Sequence, residues 1–214
     1  MKVFCARLFI LMIGLILFAF GIVIAINANI GYAPWEVFHV GLANTVGLSI
    51  GVITIIVGLV LGVIVTIMGE KLGFGTILNM VLIGVFIDVI FLTEIIPIAD
   101  NTIIGILMLI IGMFLISIGS YFYIKSAFGA GPRDNLMVVL VRKTKLPAGV
   151  CRVIIEIVVT VAGWFLGGMV GLGTVIFAIG IGFCIQLTFR VFRFDVTAVK
   201  HETLTDTYKA LRKK

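Results

Sequence analysis

Five stretches of the chain carry no charged residue: 8–35, 37–69, 72–87, 101–124 and 157–189. A bilayer core about 30 Å thick needs roughly 20 consecutive apolar residues per crossing helix. Glycines, prolines and short polar clusters divide the stretches into six spans, expected at 8–28, 50–69, 73–95, 103–124, 148–168 and 172–190. Two more apolar segments, 34–47 and 132–141, are too short to cross, and each begins with proline, a favoured first helical residue. The first span resembles a signal peptide in having Lys2 and Arg7 before an apolar run, but the run is too long for one and reads as a retained helix.

Composition narrows the class. Of 214 residues, 62% are apolar and 12% charged. An ordinary soluble domain is about half apolar and a quarter charged, so a soluble globule and a disordered chain are both excluded. The formal charge of +6 reads as membrane orientation and not as affinity for nucleic acid.

The chain also aligns with itself at an offset of 98 residues without a gap. Gly14 and Gly21 fall on Gly112 and Gly119, Gly31 and Pro34 on Gly129 and Pro132, and Gly51-Val52 on Gly149-Val150. Gly73-Phe-Gly-Thr76 falls on Gly171-Leu-Gly-Thr174, Gly84 on Gly182 and Phe91 on Phe189. Residues 7–91 contain 24 identities in 85 aligned pairs. The matched glycines and prolines weigh most, because backbone geometry fixes such positions. Each copy holds three spans. An odd number turns the second copy over in the membrane, which predicts an all-α protein with a 3+3 inverted-topology repeat. Repeat 1 covers 1–98, repeat 2 covers 99–190, and 191–214 forms a basic tail.

Charge supports this orientation. With the N-terminus in the cytoplasm, all 16 Lys and Arg residues fall on inner segments, near the inner end of the fifth span, or in the tail. The outer segments hold Glu36, Glu94 and Asp100 and no basic residue. The positive-inside rule therefore predicts both termini in the cytoplasm. The tail reads either as a short surface helix on anionic lipid or as a solvated segment.

No catalytic signature is present: no His-Glu-x-x-His, no Gly-x-Ser-x-Gly and no P-loop, so an enzyme is not expected, nor a cofactor. Cys5, Cys151 and Cys184 have no metal-ligand spacing and read as small apolar filler. Thr76 and Thr174 follow tight Gly-x-Gly turns and are expected to cap the next helices. Gly58 and Gly62, and Gly14 and Gly21, read as close helix contacts, and Asn79 as a hydrogen bonder between helices.

Polar groups inside the spans need a reason. Glu156 stands four residues after Arg152, on one helix face, and reads as a local ion pair or as a lining residue. Asp88 and His39 are further candidates for lining or coupling. The most informative pair is Gly31-Tyr-Ala-Pro-Trp35-Glu36 and Gly129-Ala-Gly-Pro-Arg133-Asp134-Asn135. Each breaks the chain after the first span of its repeat, starts a short helix on proline and places an acid two residues on. Either the acids complement the helix N-termini at the membrane interface, or the short helices are re-entrant and meet. Interrupted segments at matching positions point to a transporter site. In that case Trp35, Glu36, Arg133, Asp134 and Asn135 form one site for a small solute of mixed charge.

The run Ile30-Gly-Tyr-Ala-Pro-Trp-Glu-Val-Phe-His39, with Gly41-Leu42 and Gly47-Leu-Ser-Ile-Gly51, resembles the signature of the bacterial YczE/YyaS/YitT membrane proteins. Gly73-Phe-Gly-Thr-Ile-Leu-Asn79 through Gly84 to Asp88 is similar to the YczE branch. The resemblance covers the six spans and implies a bacterial cytoplasmic membrane, but no settled activity. The second repeat departs from it, with Arg133 at the Trp position. Two functions follow as expectations. The first is a transporter or facilitator of a small polar solute, zwitterionic or anionic. The alternative is a non-transporting accessory protein that recruits or stabilises a partner. The expected partners are the lipid bilayer, a solute, and either a second copy of the chain or an accessory subunit.

Overall fold

The computed structural model describes residues 2–195, 198–199 and 201–212. Of the basic tail residues, Lys200, Lys213 and Lys214 lie outside them. The described residues form nine helices: α1 (Lys2–Asn27), α2 (Pro34–Val46), α3 (Ile50–Ile67), α4 (Phe74–Thr93), α5 (Thr102–Lys125), α6 (Pro132–Thr144), α7 (Ala148–Phe165), α8 (Leu172–Val191) and α9 (Leu204–Arg212). Six of these, α1, α3, α4, α5, α7 and α8, are long and apolar enough to cross a membrane. Helices α2 and α6 have 13 residues each, about 20 Å at 1.5 Å per residue, too short to cross.

Helix ends differ from the expected spans where polar residues continue a helix. Helix α1 starts at Lys2, not at residue 8, and α6 runs to Thr144, not 141. Hydropathy marks where lipid ends, whereas a helix stops where its last carbonyls find another partner. For α6 that point is Lys145, left-handed at φ 62°, whose amide donates to the Val141 carbonyl. Helices α3 and α5 begin on side-chain caps: Ser49 Oγ accepts from the Val52 amide and Asn101 Oδ1 from the Ile104 amide. Thr76 and Thr174 each accept, through Oγ1, the amide of the glycine three residues earlier, at 3.2 and 3.1 Å.

Helices α2 and α6, α3 and α7, and α4 and α8 match in length and start 98 residues apart. Helices α1 and α5 pack along each other at the centre. A methyl group on Gly14 would strike the Gly119 carbonyl, and one on Gly21 the Gly112 carbonyl. The order of these pairs makes the two helices antiparallel. Only glycine permits such backbone approach, which is how helices bind tightly where lipid removes the hydrophobic drive. The chain breaks cross in the same paired way. The Gly75 amide donates to the Phe128 carbonyl at 2.8 Å, and the Gly173 amide to the Ile30 carbonyl at 2.7 Å. At those crossings Gly129 (φ 126°) lies against Gly73, and Gly31 (φ 113°) against Gly171. Both positive φ values suit glycine alone.

The packing of the outer helices is not matched. Helix α3 lies along α4 and α7 lies along α2, while α7 has no comparable contact with α8. The tail turns back onto the body. Glu202 pairs with Arg7, its amide donates to the Ala127 carbonyl, and the Leu204 amide donates to the Leu72 carbonyl. Arg7 also stands over the Phe128 ring at 4.2 Å. Residues 202–204 of the tail are thus docked on the body, so the reading of the tail as a plain solvated segment fails there.

Candidate functional site

A cavity of about 400 Å³ opens at the middle of the bundle, within the usual range for small-molecule sites. Its walls come from both halves: the first turns of α2 and α6, one face of α3, α4 and α5, and the facing sides of α7 and α8. The prolines fix the short helices. Pro34 and Pro132 open α2 and α6 with no amide to leave unpaired, and the preceding Ala33 and Gly131 are extended, at φ −61° and −63°. This turns residues 35–36 and 133–134 toward the same space.

Trp35, Glu36, His39, Arg133, Asp134 and Glu156 all line the cavity. Arg133 reaches Glu36 with two nitrogens, each 3.3 Å from Oε1, and its guanidinium stands 4.8 Å from the centre of the Trp35 ring. Trp35 and Arg133 occupy matching positions 98 residues apart, so here a residue meets its own counterpart. Arg133 also lies 3.4 Å from His39 Nδ1, which is 3.4 Å from Thr54 Oγ1 as well. His39 is 2% exposed, and its Nε2 has no hydrogen-bond partner among the described residues. On α7, Arg152 Nε donates to Glu156 at 2.9 Å, and both side chains face the cavity.

Two sequence candidates stand elsewhere. Asn135 turns away, donating toward the Ala130 carbonyl at 3.4 Å, and lines a second recess beside Glu70, Lys71 and Glu202. Asp88 lies at the other end of α4, outside the lining. It accepts from Ser49 Oγ and, at 2.8 Å, from the Gly51 amide, tying α3 to α4. Asn79, expected to bond between helices, makes no hydrogen bond among the described residues and lines the cavity instead.

Three contributors were not singled out in the sequence. Tyr123 on α5 is 4% exposed, and its hydroxyl has no hydrogen-bond partner among the described residues. Its signal was available: a phenol six residues before a chain break, near the end of a largely apolar span. Phe177, Ile181, Ile185 and Phe189 form an apolar stripe at four-residue spacing down α8. His201 comes from the tail to the cavity mouth. Burial holds its imidazole below the ordinary range, and the charge of Asp134 draws it the other way. Among the described residues no group of three His, Cys, Asp or Glu side chains could hold a metal ion.

The cavity is closed along one pair of helices and open along the matching pair. Between α3 and α4, a methyl group on Gly51 would strike the Gly84 carbonyl and the Asp88 carboxylate, and Gly58 and Gly62 face Met80. Between α7 and α8 the counterparts Gly149 and Gly182 have nothing within 4 Å, and both helices line the cavity. Pro147 stands where Ser49 would be, Gln186 where Asp88 would be, and Glu156 where Gly58 would be.

Comparison with known proteins places the chain. Residues 5–190 match the model of a family of unknown function, DUF6198. The uncharacterized membrane protein YczE of Bacillus subtilis is 36% identical over 177 residues, 82% of this chain and 81% of that protein. An uncharacterized protein of Haemophilus influenzae is 32% identical over 184 residues, 84% of each chain. The uncharacterized protein YyaS of Bacillus subtilis is 23% identical over 169 residues, 77% of this chain and 83% of that one. No solved structure matches. With almost its whole helical body matched, the chain belongs to the DUF6198 family of membrane proteins, whose function is unknown.

Proposed function

We propose that the protein is a carrier for a small polar solute, built as a 3+3 inverted repeat in the bacterial cytoplasmic membrane. Both termini lie in the cytoplasm, and the protein performs no covalent chemistry. The inverted repeat is supported by the equal helix lengths at a fixed offset, the antiparallel α1–α5 pair and the crossed loop contacts. The orientation is supported by the one-sided distribution of Lys and Arg.

The observation that carries the transport reading is the difference between the two matching seals. A carrier must expose one site to each side in turn. Here α3 is zipped to α4 by Gly51, Gly84 and Asp88, while Gly149 and Gly182 stand unopposed beside an open cavity. The open pair lies on the basic, cytoplasmic side. The repeat supplies glycines for both seals, so the same sequence accommodates the opposite state, in which α7 closes on α8 and α3 leaves α4. Charged groups of both signs on the wall favour a solute of mixed polarity. They do not suit the accessory-protein alternative, which expects a solidly apolar interior.

The test is a cysteine pair. In a background with Cys5, Cys151 and Cys184 replaced, Gly149→Cys and Gly182→Cys are introduced together and oxidised in membranes. A disulfide needs Cα atoms within about 7 Å, and in the open pair neither glycine has a neighbour within 4 Å of its Cβ position. Bridging during oxidation supports the second state. Persistent failure to bridge, with Ser49→Cys/Asp88→Cys bridging readily, contradicts it.

A further inference from the structure

We infer that the cavity holds a subsite for a protonated amine, formed by Asp134, Tyr123 and Asn79 around the bare backbone of Gly131, and that the solute is an amine with an apolar body. The inference deepens the carrier reading and rests on it.

The charges come first. Glu36 is paired with Arg133, and Glu156 with Arg152. Asp134 lines the same cavity and makes no hydrogen bond or ion pair among the described residues. The two pairs cancel and one negative charge is left over on the wall, on Asp134, which is exposed to the cavity and feels Arg152 and Arg133 at longer range. A singly charged cationic group on the solute supplies the missing partner.

Geometry says which kind. At the point where a Cβ would sit on Gly131, three oxygens converge: Asp134 Oδ2 at 3.2 Å, Tyr123 Oη at 3.3 Å and Asn79 Oδ1 at 4.0 Å. The Tyr123 hydroxyl is buried without a partner. These oxygens face the space beside the bare Gly131 backbone, where the N–H donors of a primary ammonium can meet them. A quaternary ammonium has the charge but no donors. Gly131 is needed for space and not for backbone freedom, since φ is −63° and its counterpart Ala33 holds φ −61° with a methyl group in place.

The N-terminus of α6 would on its own attract an anion. Asp134, in the first turn of α6, already supplies one and reverses the preference. The α8 side of the wall is apolar, with Phe177, Ile181 and Ile185. It suits an alkyl or aryl body on the amine.

The test uses the full chain in lipid nanodiscs, with Trp164→Phe leaving Trp35 at the cavity as the single tryptophan. Butylamine, phenethylamine, butyltrimethylammonium and sodium chloride are titrated against Trp35 fluorescence, with empty nanodiscs as blank. Saturable binding of a primary amine is expected, at least tenfold tighter than butyltrimethylammonium. Gly131→Ala should weaken it at least tenfold. Tyr123→Phe, which keeps the ring, should weaken it severalfold and serves if Gly131→Ala fails to elute as a single species. Equal binding by butyltrimethylammonium or sodium, no amine binding, or wild-type affinity in Gly131→Ala would overturn the assignment. Binding is read without flux, so this result and the α7–α8 bridging result can fail independently.

Discussion

Replacing Asp88 with alanine should loosen the α3–α4 seal and admit reagents from the side now closed. Asp88 accepts two hydrogen bonds across that seam, from Ser49 Oγ and the Gly51 amide. Hydrogen bonds to a charged group contribute about 1.5–3 kcal/mol each, but Ser49 is exposed, so water replaces part of that. Taking about 2 kcal/mol for the pair, the ratio of open to closed seal rises about 30-fold. The reporter is Val57→Cys, on α3 and facing the cavity, in a cysteine-free background. A membrane-impermeant thiol reagent should reach it from the α7–α8 side in the parent protein. In Asp88→Ala its rate from the opposite side should rise about 30-fold by the same arithmetic, while Asp88→Asn, which keeps one acceptor, should fall between. An unchanged rate from the Asp88 side, with the protein intact, would refute the assignment of this seam as a gate.

Other outcomes follow from the same packing. Cysteines at Asp100 and Lys143 should label from opposite sides of the membrane; labelling from one side would sink the topology. Gly21→Val should cost about 1–3 kcal/mol or more by overpacking against Gly112 and Ile116. Gly182→Val, in open space, should leave the unfolding midpoint in detergent unchanged; equal losses in the two variants would contradict the packing. Arg152→Ala should strand Glu156. The Arg152 side chain is 46% exposed and that of Glu156 18%, so about 1–2 kcal/mol is expected in place of the larger loss at a fully buried pair. Reversing both charges should restore the midpoint, and failure of that rescue would argue against a simple pair.

Much of the helical frame is legible in the sequence, because hydropathy, proline and glycine act locally. Pro34 and Pro132 mark the starts of α2 and α6, and the Gly14/Gly21 and Gly112/Gly119 pairs mark the central contact. The site is less legible. The offset aligns Arg133 with Trp35 but does not say that they touch. Such contact depends on how α2 and α6 pack in the folded chain. Asn135 looked equivalent to its neighbours, yet one helical step turns it to another recess. Tyr123 reads as part of a largely apolar span, and only the fold leaves its hydroxyl unpaired among the described residues. The two seams share only the Gly51/Gly84 and Gly149/Gly182 pairs, while Glu156 replaces Gly58 and Gln186 replaces Asp88, and the shared glycines alone do not say which seam is closed.

The most direct measurement is solute flux through the purified protein in proteoliposomes. Labelled primary amines, amino acids and small carboxylates are offered to vesicles holding the Gly149→Cys/Gly182→Cys variant, reduced and then oxidised. Saturable, protein-dependent uptake of at least one class is expected, lost when the α7–α8 pair is bridged and regained on reduction. No protein-dependent flux of any class, or flux indifferent to the bridge, would contradict the carrier.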